Sequence, residues 1–277
     1  MRVELHCHST YSDGSVGARE VARRAADRNV EVFCLTDHDT IAGYDETVDE
    51  IASRCTVLRG LELTCVQNGR TIHLLMYGLD EGPALAVLCD RLAVLGQDRR
   101  DRIVAICDKL RGLGVTLDPA PILAGAVGRT AGRPDVARAL VSAGVCKRPA
   151  EAFQRFLGDD GPAFVAVDRI TLAEALALGR SVGARMSLAH PHTAGNHALV
   201  REMFVERKAE GLEGIEALYG RYARAQARGW LQLAEELDLV VTGGSDFHGD
   251  LMPEVSRPVI DLPEPHATRL RDWLRVA

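Results

Sequence analysis

"RVELHCHSTYSDGS", residues 2–15, puts His6, His8 and Asp13 at and just beyond the end of a short apolar run. In an extended strand, successive side chains alternate between faces. His6 and His8 therefore share one face, and Cys7 takes the other. Two imidazoles on one face commonly begin a metal site. Taken alone, the pattern fits two polar residues at a strand end equally well, so the rest of the chain has to decide.

The same grammar recurs along the chain. Short aliphatic runs end in polar residues at "VEVFCLTDHD" (30–39), "TVLRGLELT" (56–64), "RTIHLLMYGL" (70–79), "ARMSLAHPH" (184–192), "GIEALYG" (214–220) and "LVVTGGSDFHG" (239–249). Helical patterns lie between several of them. Val21, Ala22, Ala25 and Ala26 fall on one face of a predicted helix over 17–28, and Thr171 with Glu174 forms a capping box before another. Alternating strands and helices predict a parallel sheet, as a barrel or doubly wound. Residues 83–165 break the rhythm and read as helical. In them Pro134 suits a first helical turn and Gly144 a C-terminal cap. The expected organisation is an α/β domain from 1–82 and 166–277, interrupted by a helical insertion over 83–165.

Composition narrows the function classes. The chain has 277 residues, 47% hydrophobic and 26% charged, with a net charge of −6. That balance argues against stable binding of duplex nucleic acid through basic patches. It does not argue against an anionic substrate, because bound cations carry charge that a residue count misses. No apolar run reaches membrane-spanning length, and polar residues interrupt the first strand too early for a signal peptide. Seven cysteines, at 7, 34, 55, 65, 89, 107 and 146, form no C-x-x-C pair. They read as reduced packing residues of a cytoplasmic protein. The oligomeric state is not legible.

The polar residues at strand ends form one constellation: His6, His8, Asp13, His38, Glu62, His73, His190, Asp246 and His248. It takes six of the nine histidines in the chain. Histidines with purely structural roles would scatter over helices and loops, so this concentration favours a metal site. Asp37 and Asp39 flank His38 and either orient ligating histidines or cap the "TDHDT" turn.

"HCHSTYSDG", "TDHD", "GLEL", "HLLMYG", "LAHPH" and "GGSDFHG" resemble, in order, the motifs of the polymerase and histidinol phosphatase (PHP) superfamily. "GRPDVARALVSAGV" and "AFQRFLGDDGPAFVAV" resemble the inserted helices of the branch holding nucleoside 3′,5′-bisphosphate phosphatases and enzymes that trim RNA from its 5′ end. The resemblance implies a distorted (β/α)7, TIM-like barrel and a cluster of three divalent metal ions, of manganese, zinc or iron. His6, His8, Glu62 and Asp246 would bind one ion. Glu62 would bridge to a second, completed by His73 and His190, and Asp13, His38 and His248 would hold the third. Catalysis would then rest on Asp13, Glu62, His190, Asp246 and His248.

The implied chemistry is attack of a metal-activated hydroxide on a phosphate monoester. The implied substrate is a small phosphorylated molecule, foremost the 3′-phosphate of a nucleoside 3′,5′-bisphosphate, with short RNA 5′ ends as a related target. The inserted helices are expected to contribute to the substrate pocket, with Arg133 or Arg129 holding a phosphate. His192 and His197 are further candidates for substrate contact. Two alternatives are a phosphatase for another small ester such as histidinol phosphate, and a noncatalytic PHP module. Two departures bear on substrate: Asp135 stands where related enzymes read "GRPH", and His192 makes "AHPH" of the usual "AHPG".

Overall fold

The computed structural model describes residues 1–126, 131–158, 160–166, 169–249, 255 and 257–276. The chain divides into two compact units, Met1–Cys89 with Arg169–Ala277, and Asp90–Asp168.

The first unit is built on one sheet of eight strands: β1 (Arg2–Glu4), β2 (Val32–Leu35), β3 (Thr56–Gln67), β4 (Arg70–Tyr77), β5 (Arg185–Leu188), β6 (Leu212–Tyr219), β7 (Val240–Gly244) and β8 (Ile260–Asp261). Their spatial order is β7-β6-β5-β4-β3-β2-β1-β8. Past Glu4 the first strand continues extended. Cys7 bridges Phe247 in parallel, and His8 N–H donates to the Phe247 carbonyl at 2.9 Å. This contact brings the end of the β1 segment against the segment after β7 and nearly closes the sheet into a distorted TIM-like barrel. The alternation expected for "HCH" survives there: Cys7 packs into an apolar cluster with Ala22, Phe33 and Phe247.

One expectation is corrected. The sheet is not parallel throughout, because β4 runs antiparallel to both β3 and β5. The reason is the two-residue Asn68–Gly69 turn, with φ of 50° and 76° at its two positions. Two residues with positive φ make a hairpin turn, whereas a parallel crossover needs a dozen or more residues. The hairpin register pairs Thr64 with His73 and Glu62 with Leu75. Glu62 and His73 thereby become diagonal neighbours on one face.

Ten α-helices are described. In chain order they are α1 (Ala18–Ala26), α2 (Tyr44–Ile51), α3 (Pro83–Gly112), α4 (Pro119–Ala124), α5 (Arg133–Ser142), α6 (Pro149–Ala152), α7 (Leu172–Ser181), α8 (His197–Arg207), α9 (Arg224–Glu236) and α10 (His266–Leu274). The α1 face of Ala18, Val21, Ala22, Ala25 and Ala26 is buried, and its small side chains allow close packing. The Thr171–Glu174 capping box opens α7 as the sequence indicates. The second unit has its own core, including Ile103, Ile106, Leu110, Val136, Leu140 and Leu157. No helix among the described residues is long and apolar enough to cross a membrane.

The glycines of "GGSD" are set by close approach. A Cβ on Gly244 would lie 2.4 Å from His6 Cβ and 2.5 Å from His6 N. By contrast, a Cβ on Gly96 of α3 meets nothing within 4 Å. Gly244→Ala is therefore expected to cost about 1–3 kcal/mol by overpacking. Thermal unfolding should show its midpoint lowered by several degrees, at about 2–4 °C per kcal/mol. Gly96→Ala should hold or raise the midpoint, through a helix-propensity gain of up to about 1 kcal/mol.

Candidate metal centre

The nine residues of the constellation converge on one end of the barrel. His6 and His8 follow β1, and Asp13 stands in the tight turn after them. His38 follows β2, Glu62 lies in β3, His73 in β4, His190 follows β5, and Asp246 with His248 follow β7. Most are buried: His6 and His8 are fully so, and Glu62 is 1% exposed.

Glu62 is the hub. Its Oε2 lies 3.3 Å from His6 Nε2, 3.2 Å from His8 Nε2 and 3.1 Å from His38 Nδ1. Its Oε1 lies 2.9 Å from His73 Nδ1 and 3.0 Å from His190 Nε2. Asp246 Oδ1 faces His8 Nε2 at 3.2 Å and His6 Nε2 at 3.4 Å. Asp13 faces His248 Nε2 at 3.3 Å and His38 Nε2 at 3.7 Å.

Donor atoms within 4.8 Å of one another form four overlapping groups: His8–Asp13–His38–His248, His6–His8–Asp246, His6–Glu62–His190, and His38–Glu62–His73. Buried His6 Nε2, His8 Nε2 and Glu62 Oε2 make no hydrogen bond despite their proximity. Orphaned buried polar atoms are costly, about 1–3 kcal/mol each. Two donors on one tetrahedral ion at about 2.1 Å stand about 3.4 Å apart, the separation seen here. The site fits divalent metal ions, which imidazole and carboxylate donors suit.

Electrostatics agree. Burial opposes ionisation of Asp13, Glu62 and Asp246, yet the surrounding histidines hold all three carboxyls well below their usual range. Burial pushes His38 down to about 4, which leaves it neutral and able to donate a lone pair. Burial also opposes the charged form of His8, but the adjacent carboxylates of Asp246, Glu62 and Asp13 raise it to about 10. A cation entering here would displace that proton.

Several residues outside the constellation orient it. Glu216 of β6, fully buried, receives His6 Nδ1 at 2.8 Å and the His190 backbone N–H at 2.7 Å. That turns His6 Nε2 toward Glu62 and Asp246. Tyr219 donates its hydroxyl to Asp246 Oδ2 at 2.6 Å, leaving Oδ1 for the histidines. Asp37 accepts from Ser9 N–H, Ser9 Oγ and Ser12 Oγ, and Ser12 Oγ lies 3.4 Å from His8 Nδ1. Asp37 thus both buckles the turn and reaches His8 through a hydroxyl. Asp39 accepts from Thr64 N–H and ties the His38 segment to β3. Glu216 and Tyr219 were not singled out from sequence. The available signal was a carboxylate inside the apolar run "GIEALYG", since charged residues are rarely buried without a partner.

A cavity of about 330 Å³ opens over the cluster, lined by Asp13, His38, Glu62, His73, His190, Asp246 and His248, together with Thr71, His192, Thr193, Tyr219 and Arg221. His192 is on its wall. His197 is not, and its ring stacks on Trp230 at 3.8 Å. Arg133 belongs to the helical unit, where it donates to the Leu157 carbonyl at 3.0 Å and approaches the Phe153 and Phe164 rings. Arg129 lies outside the described residues. Asp135 accepts from the Gly132 N–H at 2.8 Å and pairs with Arg138, so it serves the start of α5.

Comparison with known proteins places this architecture. A model of the PHP domain matches residues 4–107. A 5′-3′ exoribonuclease from Haemophilus influenzae is 35% identical over 257 residues, covering 89% of this chain and 90% of that protein. A 3′,5′-nucleoside bisphosphate phosphatase from Chromobacterium violaceum is 28% identical over 280 residues, covering 93% and 94% respectively. A crystal structure from Bifidobacterium adolescentis, described as a candidate metal-dependent phosphoesterase, matches with a TM-score of 0.79 at 25% identity, covering 98% of this chain and 96% of that one. Given a relative 35% identical along 89% of its length, the chain belongs to the PHP domain family of metal-dependent phosphoesterases.

Proposed function

We propose that the protein removes the 3′-phosphate of nucleoside 3′,5′-bisphosphates, and that the same site takes short RNA 5′ ends. The observation that carries the reading is the convergence of nine imidazole and carboxylate donors beneath one open cavity. The substrate follows from the relatives, one named for nucleoside bisphosphates and one for RNA. Both substrates present a phosphate ester beside a second phosphate group.

His6, His8, Glu62 and Asp246 would hold one ion, Glu62 with His73 and His190 a second, and Asp13, His38 and His248 a third. Bound divalent ions of manganese, zinc or iron would supply positive charge for the phosphate and bring the pKa of water near neutrality. The residues of the chain supply position. Glu216 fixes the His6 ring, and Tyr219 fixes the Asp246 carboxylate. His248 donates Nδ1–H to the Asp246 carbonyl at 2.9 Å, which directs its Nε2 to Asp13. In the net reaction water adds to phosphorus opposite the ester oxygen, the P–O bond to the ribose breaks, and the freed oxygen takes a proton. A screen of metal-reconstituted protein against a nucleoside 3′,5′-bisphosphate, a mononucleotide and a 5′-phosphorylated RNA tests the substrate. Failure to hydrolyse any of them would refute it.

Glu62→Gln should lose at least two of about three bound ions, because one carboxylate serves both partners of a shared pair. Elemental analysis of purified protein reads this directly. Full retention of metal in the variant would remove Glu62 from the centre.

Asp13→Asn should lower kcat about a hundredfold or more with an unchanged unfolding midpoint, since Asp13 sits in a partly exposed turn and keeps its shape. Cys7→Ala is the control. Its thiol packs in the core beside the Cys34 carbonyl, so it should lose some stability and keep its metal. Metal loss in Cys7→Ala together with full activity in Asp13→Asn would reverse the facing assigned to "HCHSTYSDG".

A further inference from the structure

The cavity has a floor and a rim of different character. The floor is the buried donor cluster. The rim carries two exposed side chains, His192 after β5 and Arg221 after β6. Arg221 is the one Lys or Arg among the described residues that line the cavity. Its Nη1 lies 3.4 Å from the Tyr219 hydroxyl and 4.0 Å from Asp246 Oδ2, and its side chain is 39% exposed. Tyr219 stands between the two rim residues, its ring 5.8 Å from that of His192.

His192 is held from behind. Its backbone N–H donates to the Tyr222 hydroxyl oxygen at 3.3 Å, and its Nδ1 lies 2.9 Å from the same oxygen. No hydrogen bond from a described residue occupies its Nε2. A ring pinned through Nδ1 and lining the cavity has one nitrogen left for a ligand. Arg221 and Tyr222 are adjacent, so the single turn after β6 both presents the guanidinium and braces the imidazole.

We propose that Arg221 and His192 form an anion subsite at the rim that takes the nonreacting phosphate of a doubly phosphorylated substrate. The inference rests on the phosphoesterase reading and adds the group that selects the substrate. The reacting phosphate belongs at the floor, where the donors are buried. A second phosphate on the same nucleoside lies farther out, where a planar guanidinium fork and an imidazole N–H match its oxygens. Two charge-assisted contacts made equally in ground and transition states appear as binding, in KM rather than kcat.

The test compares hydrolysis of adenosine 3′,5′-bisphosphate and adenosine 3′-monophosphate by metal-loaded protein. Wild type should prefer the bisphosphate in kcat/KM. Arg221→Ala should reduce that preference about tenfold or more, through KM. His192→Gln, which keeps an N–H donor of similar reach, should retain more of it than His192→Ala. Adenosine 5′-monophosphate, the product that keeps the nonreacting phosphate, should inhibit wild type better than adenosine does, and Arg221→Ala should lose that difference. Activity on both substrates with no preference in wild type, or a preference unmoved by Arg221→Ala, would overturn the subsite while leaving the phosphatase reading intact. So would a preference that shifts with Arg133→Ala alone. Inactivity on both substrates with every metal would overturn both.

Discussion

Five imidazoles around one buried carboxylate set the terms for the rest of the barrel. Glu62 faces His6, His8, His38, His73 and His190 at 2.9–3.3 Å while only 1% exposed. A lone charge at that depth would be strongly disfavoured. Here five histidines from four separate segments gather on it, so each of those segments must reach the same height and aim inward. The Asn68–Gly69 hairpin is part of that requirement. It reverses β4 and sets the diagonal that brings His73 to Glu62, at the expense of a regular parallel sheet.

The donors are aimed by strain as well as by hydrogen bonds. His190 and Asp246 hold φ of 25° and 56°, in the left-handed region that ordinary residues avoid at a cost of about 1–3 kcal/mol. Each has a strong backbone bond in return. His190 N–H donates to Glu216 at 2.7 Å, and Asp246 N–H donates to the His6 carbonyl at 2.7 Å. Glu216 therefore steers two donors at once, through the ring of His6 and the backbone of His190. Gly244 completes the arrangement by letting β7 approach His6 more closely than any side chain would permit.

Much of this was legible in sequence, because the donors are chemically conspicuous and sit where aliphatic runs stop. The spacing of His6 and His8 reported a shared face, and the structure keeps that alternation past the formal end of β1. What sequence did not reveal depends on register. Glu216 and Tyr219 are three apart in β6, so strict alternation sends them to opposite faces. The register against β7 shifts between Glu216 and Leu218, and the irregularity lets both side chains reach the donor cluster. Nothing in "GIEALYG" announces a bulge. Arg221 was hidden for a related reason, since a surface turn with one arginine looks like many solvated turns. Arg133 drew attention through its motif, and among its contacts are the Leu157 carbonyl and the Phe153 ring of its own helical unit.

The two departures from the family motifs part company on the same physical grounds. Asp135 is absorbed locally: its carboxylate answers the Gly132 N–H and pairs with Arg138, and acidic residues in a first helical turn are favourable in any case. His192 is not absorbed, because its Tyr222 contact fixes the ring without using its second nitrogen. A glycine at that position would leave the wall bare, whereas the imidazole adds a polar edge beside Arg221. The buried floor can vary little, since every donor there answers for the charge of another. The rim is built from turns whose side chains are exposed, so it is there that one chain can differ from its relatives while keeping the same centre.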